Sequence, residues 1–206
     1  MLLENKVIVV SGIGPGLGVK LAVEAAREGA RGVVALARTV ESLEDAERRV
    51  RELGTACRVL KIPTDITDAA QCRRAAELAV AAFGRIDGLV NSAFSYGNVE
   101  SVEQADFEVW KQVYDTNVIG SIEHHVEWIA DYMQMTLAVV PQMKAQGGGA
   151  IVMINTQATV KPSRGHAAYA ASKGGLLVAA KYLATELGPC NIRVNTARMG
   201  WMWGVP

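Results

Sequence analysis

The chain has 206 residues, enough for one α/β domain with a sizeable core. Half of them are hydrophobic, and 21 basic residues balance 21 acidic ones, a neutrality that argues against a nucleic-acid partner. No apolar run approaches the roughly 18 residues of a membrane span. Residues 1–6 lead into no long apolar region, so no signal peptide is expected. Cys57, Cys72 and Cys190 are widely spaced and read as reduced thiols of a cytoplasmic protein, without metal-ligand spacing.

The first apolar run, Val7-Ile8-Val9-Val10, meets Ser11-Gly12-Ile13-Gly14-Pro15-Gly16-Leu17-Gly18 and then a helical pattern. Strand, glycine turn and helix start are what a dinucleotide pyrophosphate needs. Glycines let the backbone approach the phosphates, and the N–H groups of the first helical turn face the charge. Gly12, Gly16 and Gly18 fit a G-x-x-x-G-x-G register, whereas G-x-G-x-x-G fits badly. Ser11, Gly12, Ile13, Gly16, Leu17 and Gly18 are the candidate cofactor-binding set of this turn. No G-x-x-x-x-G-K-[ST] is present, which excludes a P-loop reading.

Further strand-like runs fall at 32–37, 58–62, 88–91, 150–155 and 193–196. Helical patterns fall at 17–28, 40–53, 68–83, 103–144 with a break, and 167–187. The alternation predicts a Rossmann-type, doubly wound parallel sheet with helices on both faces, as a single domain. Ligands of such sheets lie beyond the carboxyl ends of the strands. At the second of these ends stand Arg38 and Thr39, where a carboxylate about 20 residues past the glycines would select NAD. An arginine there can pair with a 2′-phosphate and a threonine can add a donor, so NADP(H) is favoured over NAD(H).

Asp65 and Ile66 follow the third strand, positioned to meet an adenine, although Asp65-Ile66-Thr67-Asp68 also reads as a turn into a helix cap. Asn91, Ser92 and Ala93 end the fourth strand, and the two small residues let a cofactor lie close. Tyr169 and Lys173 lie four apart in a helical pattern and share a face. A free phenol, with a pKa of about 10, is a poor acid–base group at neutral pH. A neighbouring ammonium lowers that value, which would let Tyr169 exchange a proton with a carbonyl oxygen.

These residues together resemble the short-chain dehydrogenase/reductase family. The match rests on Ser11-Gly12-x3-Gly16-x-Gly18, Asp65, Asn91-Ser92-Ala93, Asn117, Tyr169-x3-Lys173 and Asn195, in the family's order. The resemblance implies a nicotinamide cofactor, an alcohol/carbonyl oxidoreductase, and a Ser-Tyr-Lys-Asn catalytic set. It implies that Lys173 also holds the nicotinamide ribose and that Asn117 supports a proton relay. Thr156 stands where the family has its catalytic serine, thirteen residues before the tyrosine. It keeps the hydroxyl but adds a methyl. Phe94 replaces the usual glycine, narrowing the nicotinamide pocket or walling the substrate.

Residues 117–141 run about eleven residues longer than the family's segment, and about eleven residues at 100° each complete nearly whole turns. The extra portion falls within 121–135. A lengthened helix would keep its stripe of Ile122, Val126, Ile129, Met133, Leu137 and Val140, with Trp128, Tyr132, Met135 and Val139 as a second stripe. Because the family associates through this helix, a homodimer or homotetramer through 103–144 is expected. His124 and His125 read as a solvated cluster rather than a metal site. Ending at Trp201-Met202-Trp203-Gly204-Val205-Pro206, the sequence lacks the family's last strand and substrate lid, and is expected to be truncated. The competing readings are a dinucleotide-binding redox-sensing or scaffold protein without turnover, and an isomerase or lyase on the same scaffold.

Overall fold

The computed structural model describes residues 1–118 and 131–200. Six strands, β1 (Val7–Ser11), β2 (Gly32–Ala37), β3 (Arg58–Pro63), β4 (Gly88–Asn91), β5 (Gly149–Thr156) and β6 (Ile192–Met199), form one sheet in the order β3-β2-β1-β4-β5-β6. Every pairing is parallel. Between them run α1 (Leu17–Arg27), α2 (Val40–Glu52), α3 (Ala69–Phe83), α4 (Phe107–Asn117), α5 (Asp131–Ala145) and α6 (Ala167–Leu187).

Burial explains the strand composition. β1 and β2 are buried at every position, so both faces of their backbone demand apolar side chains. Alternate residues then feed two cores. Val7, Val9, Val34 and Leu36 join Cys72 and Ala75 of α3, Met135 and Val139 of α5, and Leu176 of α6. Ile8, Val10, Val33 and Ala35 join Val19 and Ala22 of α1 and Leu43 and Ala46 of α2. Helices therefore cover both faces, as expected. Strand order reverses beside β1, where β1 pairs with β2 on one side and β4 on the other. A crevice opens there at the carboxyl edge.

The pattern at 103–144 resolves into a short 3-10 turn at Val102–Gln104, then α4, then α5. The Asp106 carboxylate starts α4 by accepting from the Glu108 N–H at 2.9 Å. Ile122, Val126, Trp128, Ile129, His124, His125 and most of the expected insertion lie outside the described residues, as do residues 201–206. The stripe needs one correction. Met133 and Val140 are buried, but Leu137 is 51% exposed, and Met135, Val139 and Met143 form the deepest row of α5. Leu137 lies two residues from both Met135 and Val139, about 200° around the helix, which turns it away from the sheet.

Candidate active site

The turn after β1 is shaped by two glycines. Gly12 has a φ of +79°, and a Cβ there would overlap the backbone of Ala93 just past β4. A Cβ on Gly18 would overlap the Gly12 carbonyl. Gly14 has open space around its Cβ position, which supports the Gly12-Gly16-Gly18 register. The N–H groups of Gly12 and Ile13 both donate to the Leu36 carbonyl, at 2.9 and 3.0 Å, tying the turn to β2. Gly16 caps α1 with no side-chain hydrogen bond and no acidic residue in the first turn, so this helix start suits an anion.

The turn floors a cleft of about 360 Å³. Gly12, Ile13, Gly16, Leu17, Gly18, Arg38, Thr39, Asp65, Ile66, Ser92 and Ala93 line it, together with Gly14, Pro15, Ala37, Thr64, Thr67, Phe94 and Thr116. Four expected cofactor-binding residues do not: Tyr169 and Lys173 on α6, and Ser11 and Asn91. The Ser11 hydroxyl donates to the Asn91 Oδ1 at 3.2 Å, and the Asn91 amide reaches Thr136 Oγ1 at 3.1 Å and Met153 Sδ at 3.2 Å. Both are buried, and both tie the strands together beneath the cleft. The turn reading of Asp65 holds. The residue lines the cleft while its Oδ1 accepts from the Thr67 N–H at 3.0 Å and the Thr67 hydroxyl at 2.8 Å. Asp68 caps α3, accepting from the N–H groups of Ala70 and Gln71, and these bonds hold its carboxyl below the usual range.

A second group of side chains meets around α6. Tyr169 and Lys173 are one turn apart on it, both buried. Thr156, the last residue of β5, lies close enough to the Tyr169 phenol to favour its ionised form, and its hydroxyl accepts from the Ala158 N–H at 3.2 Å. Lys173 Nζ donates to the Ile154 carbonyl at 3.0 Å. Asn155, which residue spacing does not mark, clamps this arrangement. Its amide donates to the Lys173 carbonyl at 2.9 Å while its Oδ1 accepts from the Thr156 N–H at 2.8 Å. Asn117, at the end of α4, accepts from the Ser95 N–H at 2.8 Å and donates to the Ser95 carbonyl at 2.7 Å and to Ser172 Oγ at 3.0 Å. It thus meets α6 beside Lys173.

Electrostatics correct one expectation. Burial raises the Tyr169 phenol above its usual pKa of 10, with Thr156 opposing and the nearby Tyr96 adding to the rise. Lys173 is itself brought down to about 7 by burial. Desolvation penalises both charged forms, and it raises the phenol where the neighbouring ammonium is expected to lower it.

The glycine turn fits a dinucleotide because its backbone comes closer than any side chain would permit. With a tyrosine, a lysine and a hydroxyl gathered at the carboxyl edge of the same parallel sheet, the molecule is a Rossmann-type oxidoreductase acting on CH–OH and C=O groups with a nicotinamide dinucleotide. The short chain dehydrogenase pattern matches residues 6–203, and the chain belongs to that family. It is 34% identical over 195 residues to D-threitol dehydrogenase of Mycolicibacterium smegmatis, a match covering 94% of this chain and 69% of that protein. Among solved structures, NAD+-bound xylitol dehydrogenase superposes with a TM-score of 0.87 at 31% identity, covering all of this chain and 74% of that one. L-sorbose reductase of Gluconobacter frateurii, complexed with NADPH and L-sorbose, gives 0.83 at 32% identity, covering 95% and 69%. Neither the site nor these relatives favour a protein without turnover. Among the described residues no helix is long and apolar enough to cross a membrane, and no cluster of metal-ligating side chains occurs.

Proposed function

We propose that this chain is an NADP(H)-dependent oxidoreductase interconverting an alcohol and a ketone or aldehyde, with Tyr169 as acid/base. The observation that carries the reading is the burial of Tyr169 and Lys173 one turn apart on α6, beside the end of β5 at Thr156. When bound, the nicotinamide ring supplies or accepts the hydride. Tyr169, protonated at neutral pH, donates its proton to the carbonyl oxygen during reduction and takes it back during oxidation. Thr156 holds that oxygen through its hydroxyl. Lys173 would hold the nicotinamide ribose and, with a pKa of about 7, can pass protons in either direction. Asn117 holds the start of that relay by fixing Ser172 against the 95-loop.

Arg38 and Thr39 support NADP(H), because both line the cleft at the end of β2 and both are solvent-accessible. NAD(H) is the second reading, supported by the NAD+-bound relative. We further propose a cytoplasmic homodimer or homotetramer assembled through 103–144, on three cysteines without a disulfide and on the exposure of Phe107 (78%) and Leu137. The test is parallel titration with NADPH and NADH, followed by a panel of ketones, aldehydes and alcohols with the tighter cofactor. Hydride transfer at 340 nm is expected. Tight cofactor binding with no turnover of any substrate would return the protein to the non-catalytic reading.

A further inference from the structure

The phenol of Tyr169 opens onto aromatic side chains. The Tyr96 ring centroid lies 4.6 Å from that of Tyr169 at 48°, and Phe94 stands edge-on to Tyr96 at 5.0 Å and 84°. Phe94 is also 6.3 Å from Tyr169, and the His166 ring lies 6.2 Å from Tyr96 on its other side. Phe94 and Tyr96 are 52% and 49% exposed, so about half of each ring remains uncovered beside the reacting hydroxyl. Residues 92–99 and 156–160 carry no charge. Three polar side chains near the rings are engaged, while Asn98 and Gln157 stand in the same two segments. Ser95 Oγ accepts from the Gly97 N–H, the Thr159 hydroxyl donates to the Thr156 carbonyl, and His166 Nδ1 contacts Ser163 Oγ and the Arg164 carbonyl.

The geometry points to Tyr96 and Phe94 as the specificity-determining wall of this site, and to a flat, apolar ring ketone or its alcohol as the substrate class. A planar conjugated ring can lie against Tyr96 with its edge on Phe94, in the offset and edge-to-face contacts that aromatic rings prefer. Its carbonyl is then its one polar group, and it meets the hydroxyls of Tyr169 and Thr156. An open-chain polyol would need several fixed donors and acceptors, and it would strip water from its hydroxyls against ring faces that return no hydrogen bond. The inference rests on the oxidoreductase reading above.

The experiment uses the full chain with its preferred cofactor and three probes: α-tetralone, cyclohexyl methyl ketone and the ketopolyol erythrulose. The kcat/KM for tetralone is expected to exceed that for erythrulose at least tenfold. Tyr96→Ala is expected to cost tetralone about tenfold, mainly in KM, and Tyr96→Phe to restore it. A preference for erythrulose, or a tetralone KM indifferent to Tyr96→Ala in a folded variant, overturns the substrate class while leaving the oxidoreductase intact. If the alanine variant fails to fold, inhibition of the unaltered chain decides: 1-naphthol should compete with ketone substrate, and cyclohexanol should compete at least tenfold more weakly. Equal inhibition overturns the proposal. No turnover of any probe or panel compound overturns the oxidoreductase reading itself.

Discussion

The carboxyl edge of the sheet carries two regions made in different ways. Over β1–β3 the cleft is made largely of backbone: a glycine turn, a helix start without a side-chain cap, and the ends of two strands. Its side chains, Arg38 and Thr39 among them, reach in from the surface. Over β4–β6 and α6 the surface is made of buried polar side chains, each held by hydrogen bonds between distant segments. A backbone site depends on a few residues that lack side chains. A side-chain site depends on supports that desolvate and orient its groups. Substitutions should therefore separate the two regions by which quantity fails.

Tyr169→Phe should have the largest effect. The packing of the ring is kept and only the hydroxyl proposed as acid/base is lost, so kcat should fall by about 10²–10⁴ while cofactor affinity stays within a few-fold. Stopped-flow turnover beside fluorescence titration checks this, and an unchanged kcat would remove the side-chain region from the chemistry. Gly12→Ala should do the reverse. Its Cβ meets backbone at Ala93 and its φ is positive, so the fold should lose about 1–3 kcal/mol and cofactor binding should fail with it. Thermal melts with and without NADPH read both quantities.

Arg38→Ala tests whether the backbone region takes its selectivity from a surface side chain. An exposed charge-assisted contact to a 2′-phosphate predicts about a tenfold weaker NADPH affinity and an unaltered NADH affinity. Equal losses for both cofactors would remove the phosphate from the argument. The side-chain region has a different signature, in pH. Lys173 titrates near 7 when folded and near 10.5 when unfolded, so above pH 7 the unfolded chain binds more protons and stability rises with pH. The slope is limited to about 1.4 kcal/mol per pH unit. Cys57 and Tyr169, both raised by burial, oppose it, from about pH 8 for the thiol and from about pH 9 for the phenol, where their unfolded forms begin to ionise. Urea melts from pH 7 to 8.5 should show the rise, and Lys173→Met should flatten it.

The sequence exposes the backbone region more fully than the side-chain region. Unbroken apolar runs place β2 and β4 at the residues observed, because strands buried on both faces leave no room for polar alternation. Glycine spacing marks the turn because two of its glycines, Gly12 and Gly18, have no room for a Cβ. Side-chain partnerships are less visible. Asn91 and Ser11 read as cofactor residues from their place at strand ends, yet they bond each other across 80 positions. Asn155 carries no spacing signal, since it acts by bridging β5 to a backbone carbonyl 18 residues later. The Tyr169–Lys173 pair is legible from its i, i+4 spacing, but its electrostatics are not. Burial, which no local pattern reports, moves both groups against ionisation. Leu137 shows the same limit in α5, where periodicity offers two stripes and only the packing against the sheet selects one.

Gly14→Ala should have the smallest effect and gives the comparison its sharpest control. Gly14 lies in the same turn as Gly12, two residues away, and lines the same cleft. Its φ is not positive, and nothing stands within 4 Å of the Cβ it would gain. A turn that needed flexibility throughout would suffer from either substitution. A turn that needs only close backbone approach should tolerate alanine at position 14, with stability changed by less than about 0.5 kcal/mol and cofactor affinity reduced far less than by Gly12→Ala. Melting both variants side by side, with and without NADPH, separates the two accounts. A Gly14→Ala loss equal to that of Gly12→Ala would mean that glycine acts here through chain flexibility, and that the backbone cradle is not what holds the pyrophosphate.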